Sequence, residues 1–252
     1  METNTSYPYL FQQLLAATQE YYIGEGNPHA RILVLTAQPL VPWDAERVCN
    51  NRSAWLSGSM PTEFPGPLLI QEQGHSSRLL LHLQKLGQRI FVSDNSFLQT
   101  CFCTALGCPL KQGNTSSTMD AWLESVHQRC GAGNRFLSHP YFQQFPIVLL
   151  VAGDAVSELR SATFNPFELF GFQDVLQYWI CRSCGHVHSQ GRLLHVCPQC
   201  RGKWDRLLVY EQQDPPKLLL HTRHFSSVQT DRYLDLIADR VKGFMRQQGP
   251  SF

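Results

Sequence analysis

The sequence predicts a mixed α/β protein, a three-layer α/β/α fold with a mostly parallel central sheet. Short continuous apolar runs, such as Ile147-Val148-Leu149-Leu150-Val151, are typical of strands that are buried on both faces. Segments with helical spacing of their apolar residues separate these runs. Strands that alternate with helices in this way favour a parallel sheet covered by helices on both sides.

Length and composition are consistent with one large domain that carries a small insert. The chain has 252 residues, of which 43% are hydrophobic and 16% are charged. A coiled coil would contain more charged residues in periodic order, and a disordered tail would contain fewer apolar ones. Because the net charge is only +1, contact with nucleic acid would require a local basic patch.

The order of helices and strands follows from the spacing of apolar residues. Leu10, Phe11, Leu14 and Leu15 recur at helical intervals, so the first helix is expected over 7–22. After a strand over 31–35, the Pro-, Gly- and Ser-rich stretch 42–67 is expected to be a long surface segment. The other elements are expected in this order: a helix over 76–86, a strand over 97–107, a helix over 118–130, a strand over 147–153, a helix over 154–161, strands over 207–210 and 218–221, and a helix over 230–246.

The chain carries no sign of a membrane or secretory segment. No apolar run approaches the roughly 18 residues that a membrane helix requires, and the N-terminus lacks a basic region and a cleavage site. We therefore expect a cytoplasmic protein with no membrane partner. Disulfides are rare in that compartment, so the nine cysteines need another explanation.

Four of the cysteines have the spacing of a metal site. Two Cys-x-x-Cys pairs are separated by twelve residues, and they comprise Cys181, Cys184, Cys197 and Cys200. Four thiolates at this spacing suit a tetrahedral structural zinc with no open coordination position. The alternative is two reduced pairs without metal. The sequence thus predicts a zinc-ribbon insertion over 178–204, set into a domain formed by 1–177 and 205–252.

The purpose of this ribbon is open between two interpretations. Basic residues within and beside it would suit contacts with phosphate groups, and they are Arg182, Arg192, Arg201, Lys203 and Arg206. The other interpretation is that the zinc only holds the insert together, because so short a segment cannot build its own core.

In α/β sheets of this type, ligands bind at the carboxyl ends of the strands. The loops that follow the predicted strands fall within 36–55, 103–109, 153–154 and 221–227. A histidine beside hydroxyl residues in the last of them can donate a hydrogen bond to a developing anion, and the serines can contact a phosphate.

Together these loops resemble the motifs of the uracil-DNA glycosylase superfamily, most closely its iron–sulfur, thermophile-type branch. The resemblance covers most of residues 30–235 apart from the ribbon. The matching stretches are Thr36-Ala37-Gln38-Pro39, Arg52-Ser53-Ala54-Trp55, Cys103-Thr104-Ala105-Leu106-Gly107-Cys108-Pro109, Arg129-Cys130, Val151-Ala152-Gly153 and His224-Phe225-Ser226-Ser227.

The resemblance implies hydrolysis of the N-glycosidic bond of a base that is flipped out of DNA. It implies that His224 stabilises the leaving base, that Trp55 stacks on that base, and that Gln38 helps to place the attacking water. The DNA backbone would be contacted by Pro39, Arg223, Ser226 and Ser227. We expect DNA as the partner and a monomeric protein.

Two departures from the family pattern bear on the activity. The family has a carboxylate near Pro39, where this chain has Ala37 and Gln38, so Asp44 is the replacement that we consider. The asparagine that reads uracil falls near Thr104, or at Cys103 with a shift of one residue, so the amide group that distinguishes uracil is absent. These departures leave the substrate open between a uracil-like base and a modified base. They also leave open a non-catalytic DNA- or protein-binding module.

An iron–sulfur cluster at the other cysteines is suggested only by the resemblance to the glycosylase family. Cys108 and Cys130 match two cluster ligands of the family, but the amino-terminal Cys-x-x-Cys is missing. Cys101 and Cys103 are the other potential ligands. We expect buried free thiols instead and no iron–sulfur cluster. A thiol-dependent enzyme using Cys103 or Cys108 is a third interpretation.

Overall fold

The fold is built on one mixed β-sheet. A computed structural model describes residues 7–20, 22–40, 45–57, 75–91, 97–108, 119–130, 136–153, 166–172, 176–189, 195–225 and 231–249. Within these residues the sheet has eight strands in the order β1-β3-β2-β4-β8-β7-β5-β6. The strands are β1 (Glu25–Gly26), β2 (Ile32–Thr36), β3 (Cys101–Ala105), β4 (Ile147–Val151), β5 (Leu176–Cys181), β6 (Val187–His188), β7 (Trp204–Gln213) and β8 (Pro216–His221).

The centre of the sheet is parallel and its outer parts are antiparallel. Strands β3, β2, β4 and β8 pair in parallel, and every residue of β2, β3 and β4 is buried. Strands β7, β5 and β6 extend the sheet beyond β8 in antiparallel pairs. The sheet is therefore more mixed than predicted. The physical reason is that a two-residue turn joins β7 to β8, and such a turn permits only antiparallel pairing.

Helices cover both faces of the sheet. They are α1 (Tyr9–Ala17), α2 (Ala45–Ser57), α3 (His75–Phe91), α4 (Phe97–Thr100), α5 (Met119–Cys130), α6 (Pro140–Gln143), α7 (Pro166–Leu169) and α8 (Asp231–Gln247). No helix within the described residues is long and apolar enough to span a membrane.

Alternation along the strands separates two apolar cores. Leu33 and Leu35 of β2 pack in one core with side chains of α1, α2, α5 and α6. Ile32 and Val34 point to the other face and pack with side chains of α3 and α8. Successive side chains of a strand point to opposite faces, so each central strand contributes to both cores. The mixed α/β class that the sequence predicts is confirmed.

Two predicted elements differ in the structure. Helix α2 lies within the stretch expected to be a surface segment, and residues 97–100 form a helical turn rather than the start of β3. The spacing of apolar residues does not predict α2, because a polar residue, Asn51, occupies a buried position one turn before Trp55. Its side chain accepts a hydrogen bond from the Ile23 N–H (2.8 Å) and donates one to the Gly24 carbonyl. The helix expected over 154–161 lies outside the described residues.

The cysteine-bearing segment is continuous with the main sheet. Strand β5 pairs with β7 along its whole length, from Leu176 opposite Val209 to Cys181 opposite Trp204. Strand β7 then pairs with β8, which belongs to the parallel centre. The segment 178–204 is therefore attached to the domain by backbone hydrogen bonds as well as by its two chain connections.

Trp55 belongs to the core. Only 2% of its surface is exposed, its indole N–H donates to the Gly24 carbonyl (3.1 Å), and its ring packs edge-on against Phe11 and Tyr7. The ring also contacts Phe102 of β3. This packing leaves no free ring face, so the structure gives no geometric support to a base-stacking role for Trp55.

Substitution of Trp55 tests this core position. We expect Trp55→Ala to lower the free energy of unfolding by roughly 3–5 kcal/mol, because it leaves a large cavity among aromatic rings. The adjacent Leu56→Ala is the control, since Leu56 is 56% exposed and its loss should change stability by less than about 0.5 kcal/mol. Equal stability of the two variants in urea unfolding would contradict the core assignment.

Candidate metal centre and strand-edge site

Parallel pairing brings the carboxyl ends of three strands to one edge of the sheet. Thr36 of β2 lies opposite Val151 of β4, and Leu150 of β4 lies opposite His221 of β8. Across the sheet the four parallel strands lie in the order β3-β2-β4-β8. From β2 the chain first continues to β3 on one side and later to β4 on the other side, so the direction of the connections reverses between β2 and β4. Ligands of open α/β sheets bind outside the carboxyl ends at such a point. We call the residues after β2, β4 and β8 the strand-edge site.

The turn after β2 is pinned by hydrogen bonds and presents Gln38 to solvent. The Thr36 hydroxyl donates to the Gln38 carbonyl (2.5 Å). The indole N–H of Trp122 donates to the Ala37 carbonyl (2.7 Å). The Gln38 side chain is exposed, and Pro39 beside it is half-buried. The amide group of Gln38 is thus available at the edge, on a backbone that is held in place.

The exits of β4 and β8 are in direct contact. Gly153 has a φ of +57°, and a Cβ atom added to it would lie 2.8 Å from the backbone nitrogen of His224 and 2.9 Å from the His224 Cβ. The His221 Nε2 atom lies 3.1 Å from the Gly153 carbonyl oxygen. Since that oxygen can only accept, Nε2 carries the proton. The absence of a side chain at Gly153 therefore lets His224 approach the end of β4.

Two buried side chains hold the segment around His224. The His82 ring of α3 donates from Nδ1 to the Phe225 carbonyl (2.7 Å) and packs against the Phe225 ring. On the other side, the Arg223 N–H donates to the Tyr233 hydroxyl (3.1 Å), which itself donates to the Arg206 carbonyl. Burial raises the pKa of Tyr233, so the hydroxyl keeps its proton for that second bond. His224 itself is half-buried.

The strand-edge site contains four of the residues predicted from the sequence. Gln38 and Pro39 follow β2, and Arg223 and His224 follow β8. Asp44, Ser226 and Ser227 lie outside the described residues. Thr104, like Trp55, belongs to the interior.

Thr104 forms part of a closed polar network. It has no exposed surface, and its hydroxyl donates to the Ile23 carbonyl (2.8 Å) and accepts from the Arg129 guanidinium (3.3 Å). Arg129 is itself buried, bridges to Glu20 at 2.9 Å and lies over the Phe136 ring. With both hydroxyl functions engaged inside the protein, Thr104 has no geometric support as a base-binding residue.

The four predicted cysteine ligands come together at the end of β5. Their sulfur atoms all lie within 4.8 Å of one another, and they belong to Cys181, Cys184, Cys197 and Cys200. The Cys181 and Cys200 sulfurs are 3.3 Å apart, and those of Cys184 and Cys197 are 3.6 Å apart. Sulfurs bound tetrahedrally at about 2.3 Å from a metal ion would be separated by about 3.8 Å. This group could hold a metal ion.

Each Cys-x-x-Cys pair adopts the same backbone turn. The N–H groups of Gly185 and Arg201 donate to the carbonyls of Cys181 and Cys197, four residues earlier. The N–H groups of Cys181 and Cys197 donate in turn to the carbonyls five residues later. Gly185 and Arg201 both have positive φ, at +72° and +60°. Two equivalent turns thus aim two sulfurs each at one point.

The hydrogen bonds among the four cysteines lower the pKa of one thiol and raise that of another. Burial raises the pKa of Cys181, but hydrogen bonds from the Cys184 backbone and from Cys200 outweigh burial and lower it to about 6. A thiolate is the form that binds metal. The same set of hydrogen bonds raises the pKa of Cys184 to about 12, so Cys181 is the cysteine whose thiolate the group favours.

A buried carboxylate lies between the metal centre and the strand-edge site. Asp205, at the start of β7, is 3% exposed. It accepts from Arg182, which lies between Cys181 and Cys184, and from Arg223, which precedes His224, at 2.6 Å in each case. The two sites are therefore linked through three side chains.

No family model matches the chain, and no curated protein matches it significantly in sequence. Its function is therefore inferred from the geometry of the two sites.

The other described cysteines are separate from this group. Among the described residues, only the four cysteines at the end of β5 form a group that could hold a metal ion. Burial raises the pKa of Cys108 to about 11 and of Cys130 to about 12, and raises that of Cys103 well above its ordinary value. Thiols that keep their protons are poor nucleophiles, which disfavours the thiol-enzyme interpretation.

Three residues of the site were not singled out from the sequence. His82 lies at an apolar position of α3, where a histidine gives no sign of contacting a distant loop. Asp205 is an isolated acid within a basic stretch, which was a usable signal. The contact of the His221 ring with Gly153 depends on the parallel pairing of β4 with β8, which the local sequence does not reveal.

The contact at Gly153 can be tested by adding a methyl group. We expect Gly153→Ala to destabilise the protein by at least about 1 kcal/mol, because φ is positive and the new atom overlaps His224. Gly243→Ala in α8 is the control, since nothing lies within 4 Å of its added atom and alanine is the better helix former by roughly 1 kcal/mol. A stability gain from Gly153→Ala in urea unfolding would contradict the described contact.

Metal binding can be tested by removal of one exposed ligand. We expect Cys200→Ser to abolish stoichiometric retention of the metal ion, because a hydroxyl replaces one of four thiolates without disturbing the core. Cys108→Ser is the control and should retain the full metal content. Elemental analysis of purified protein measures both. Loss of metal from the control alone would mean that the ligands are wrongly assigned.

Proposed function

We propose that the protein is a DNA glycosylase that hydrolyses the N-glycosidic bond of a flipped-out, uracil-like or modified base. The observation that carries the proposal is the position of His224 beside the end of β4, next to the point where the parallel connections diverge. Gln38 and His224, which match motif positions of the resembling family, thus lie at the edge where ligands bind in this class of sheet.

In the proposed reaction, water attacks the sugar carbon C1′ and the bond from C1′ to the base nitrogen breaks. The departing base takes the bonding electrons and develops negative charge. A ring N–H of His224 donates a hydrogen bond to that charge, which lowers the barrier. The Gln38 amide orients the attacking water, while Asp44 is the proposed carboxylate for accepting its proton.

The base pocket differs from the pattern in the resembling family. Because Trp55 and Thr104 are core residues, another group must contact the faces and edge of the base. This difference supports a substrate other than uracil. Modified bases are the class that we propose to test first.

The four cysteines would hold zinc. A set of four thiolates suits this ion and leaves no open position, so zinc would supply structure rather than chemistry. Within the ribbon, Arg182, Arg201 and Lys203 have exposed surface, and their charges offset the negative charge of the thiolates. Of the three, Lys203 would contact the phosphate backbone of DNA.

The second candidate function is a non-catalytic DNA-binding module. The specific observation in its favour is that Gln38, an amide, stands at the edge where a carboxylate would activate water. The burial of Trp55 and Thr104 points the same way. Under this alternative, the strand-edge site and the ribbon bind DNA without breaking a bond.

Base release distinguishes the two candidates. The substrates are DNAs with uracil, hypoxanthine, xanthine, or hydroxymethylated or glucosylated cytosine, in single and double strands, and the product is an alkali-labile abasic site. We expect one of these to be cleaved and His224→Ala to abolish the cleavage. His29→Ala is the matched control, because His29 is exposed and precedes β2 at the opposite edge of the sheet.

Each outcome of this experiment supports one candidate function or overturns the role of His224. Cleavage that requires His224 but not His29 supports the glycosylase. DNA binding without cleavage of any substrate supports the binding module. Cleavage that survives His224→Ala would overturn the role proposed for that residue.

A further inference from the structure

Asp205 is the only described acid that is buried between two arginines. Its carboxylate is 2% exposed, and a single oxygen, Oδ1, accepts from Arg182 Nε and from Arg223 Nη1 at 2.6 Å each. A buried carboxylate without partners is strongly unfavourable. Both arginines are therefore held to this oxygen, and removal of either one leaves the charge of Asp205 less compensated.

The two arginines belong to the two functional sites. Arg182 is inside the first Cys-x-x-Cys turn, and its backbone N–H donates to the Lys203 carbonyl (2.9 Å). Arg223 is bonded through its N–H to Tyr233, and the next residue is His224. Through its two arginines, Asp205 thus connects the turn that carries Cys181 and Cys184 to the residue that precedes His224.

Metal binding would hold Arg182 in place. When a metal ion joins all four sulfurs, the turn that carries Arg182 is closed at both cysteines. Without the ion, the turn is restrained by its backbone hydrogen bonds, by the pairing of β5 with β7 as far as Cys181, and by the ion pair of Arg182 with Asp205. The Arg182 side chain is 43% exposed, so it can turn away into water once the turn loosens. Asp205 would then be paired with Arg223 alone. The negative charge of Asp205 would be less neutralised, and the position of Arg223 beside His224 would change.

We propose that Asp205 is a positioning residue that couples metal binding at the four cysteines to the placement of Arg223 and His224. The inference rests on the proposed function in two respects: the cysteines bind zinc, and the placement of His224 matters for base release. Asp205 touches neither the metal nor a base. It acts only through the two arginines.

The spectroscopic test follows the His224 ring. Its Cε1–H resonance is assigned by its absence from His224→Gln and is compared between zinc-loaded and metal-free protein. We expect metal removal to shift this resonance in the wild type. In zinc-loaded Arg182→Gln the resonance should already be shifted, and metal removal should add little. Arg182→Lys, which keeps the positive charge, should restore most of the wild-type behaviour.

Arg201→Gln is the matched control. It removes the same charge from the second cysteine turn, and Arg201 forms no ion pair with any described residue. We expect Arg201→Gln to respond to metal removal as the wild type does. An equal response from Arg182→Gln and the wild type would overturn the proposal, and so would an unshifted His224 in zinc-loaded Asp205→Asn.

Stability and activity complete the test. The zinc-loaded comparison of Arg182→Gln with Arg201→Gln requires no metal removal, so it holds even if the metal-free protein unfolds. Where base release is measurable, we expect Asp205→Asn to slow it by up to about 100-fold while zinc content stays at one per chain, and Asp214→Asn, an exposed acid after β7, to leave it unchanged.

Failure of the proposed function would be recognised separately. Absence of zinc by elemental analysis would refute the metal centre, and absence of base release would refute the glycosylase. Absence of base release leaves the comparison of His224 between the arginine variants unchanged, whereas absence of zinc would overturn the coupling as well. A His224 resonance that is the same in all variants would refute the positioning role even in an active, zinc-containing enzyme.

Discussion

The parallel pairing of β4 with β8 is the constraint on which the two sites depend. It aligns four residue pairs, from Ile147 opposite Leu218 to Leu150 opposite His221. On one side, it brings the β8 exit to Gly153 and allows His224 to approach the end of β4. On the other side, β8 begins the antiparallel part of the sheet that carries the cysteines. A shift of this register by one residue would reverse the faces of every β8 side chain.

Polar groups inside the protein carry much of the structural specificity. Asn51, Thr104, Arg129 and Asp205 are all buried, and each makes hydrogen bonds to groups that are distant in the chain. Loss of one partner would leave a buried polar group unsatisfied, which costs more than an average hydrogen bond contributes. Asn51 and Arg129 connect α2 and α5 to the segment before β1, and Asp205 connects β7 to the residues that follow β5 and β8.

The sequence was sufficient to predict those features that depend on local pattern. The apolar run at Ile147–Val151 and the two Cys-x-x-Cys pairs have local signatures, and both features occur as expected. Trp55 was assigned from a motif position, but its environment is formed by Phe11 and Phe102, which are distant in the chain. Periodicity also missed α2, because Asn51 replaces an apolar residue on its buried side. Residues whose role depends on tertiary contact, such as His82 and Asp205, have little local signature.

The central claim is that DNA binds at the carboxyl edge of the parallel strands. Hydrogen–deuterium exchange with a short DNA that carries an abasic-site analogue tests it most directly. The account predicts slower exchange in the segments that follow β2, β4 and β8, at 36–40, 151–153 and 221–225. Protection confined to the opposite edge, at 27–31, would contradict it, as would a bound DNA that leaves all three segments unprotected.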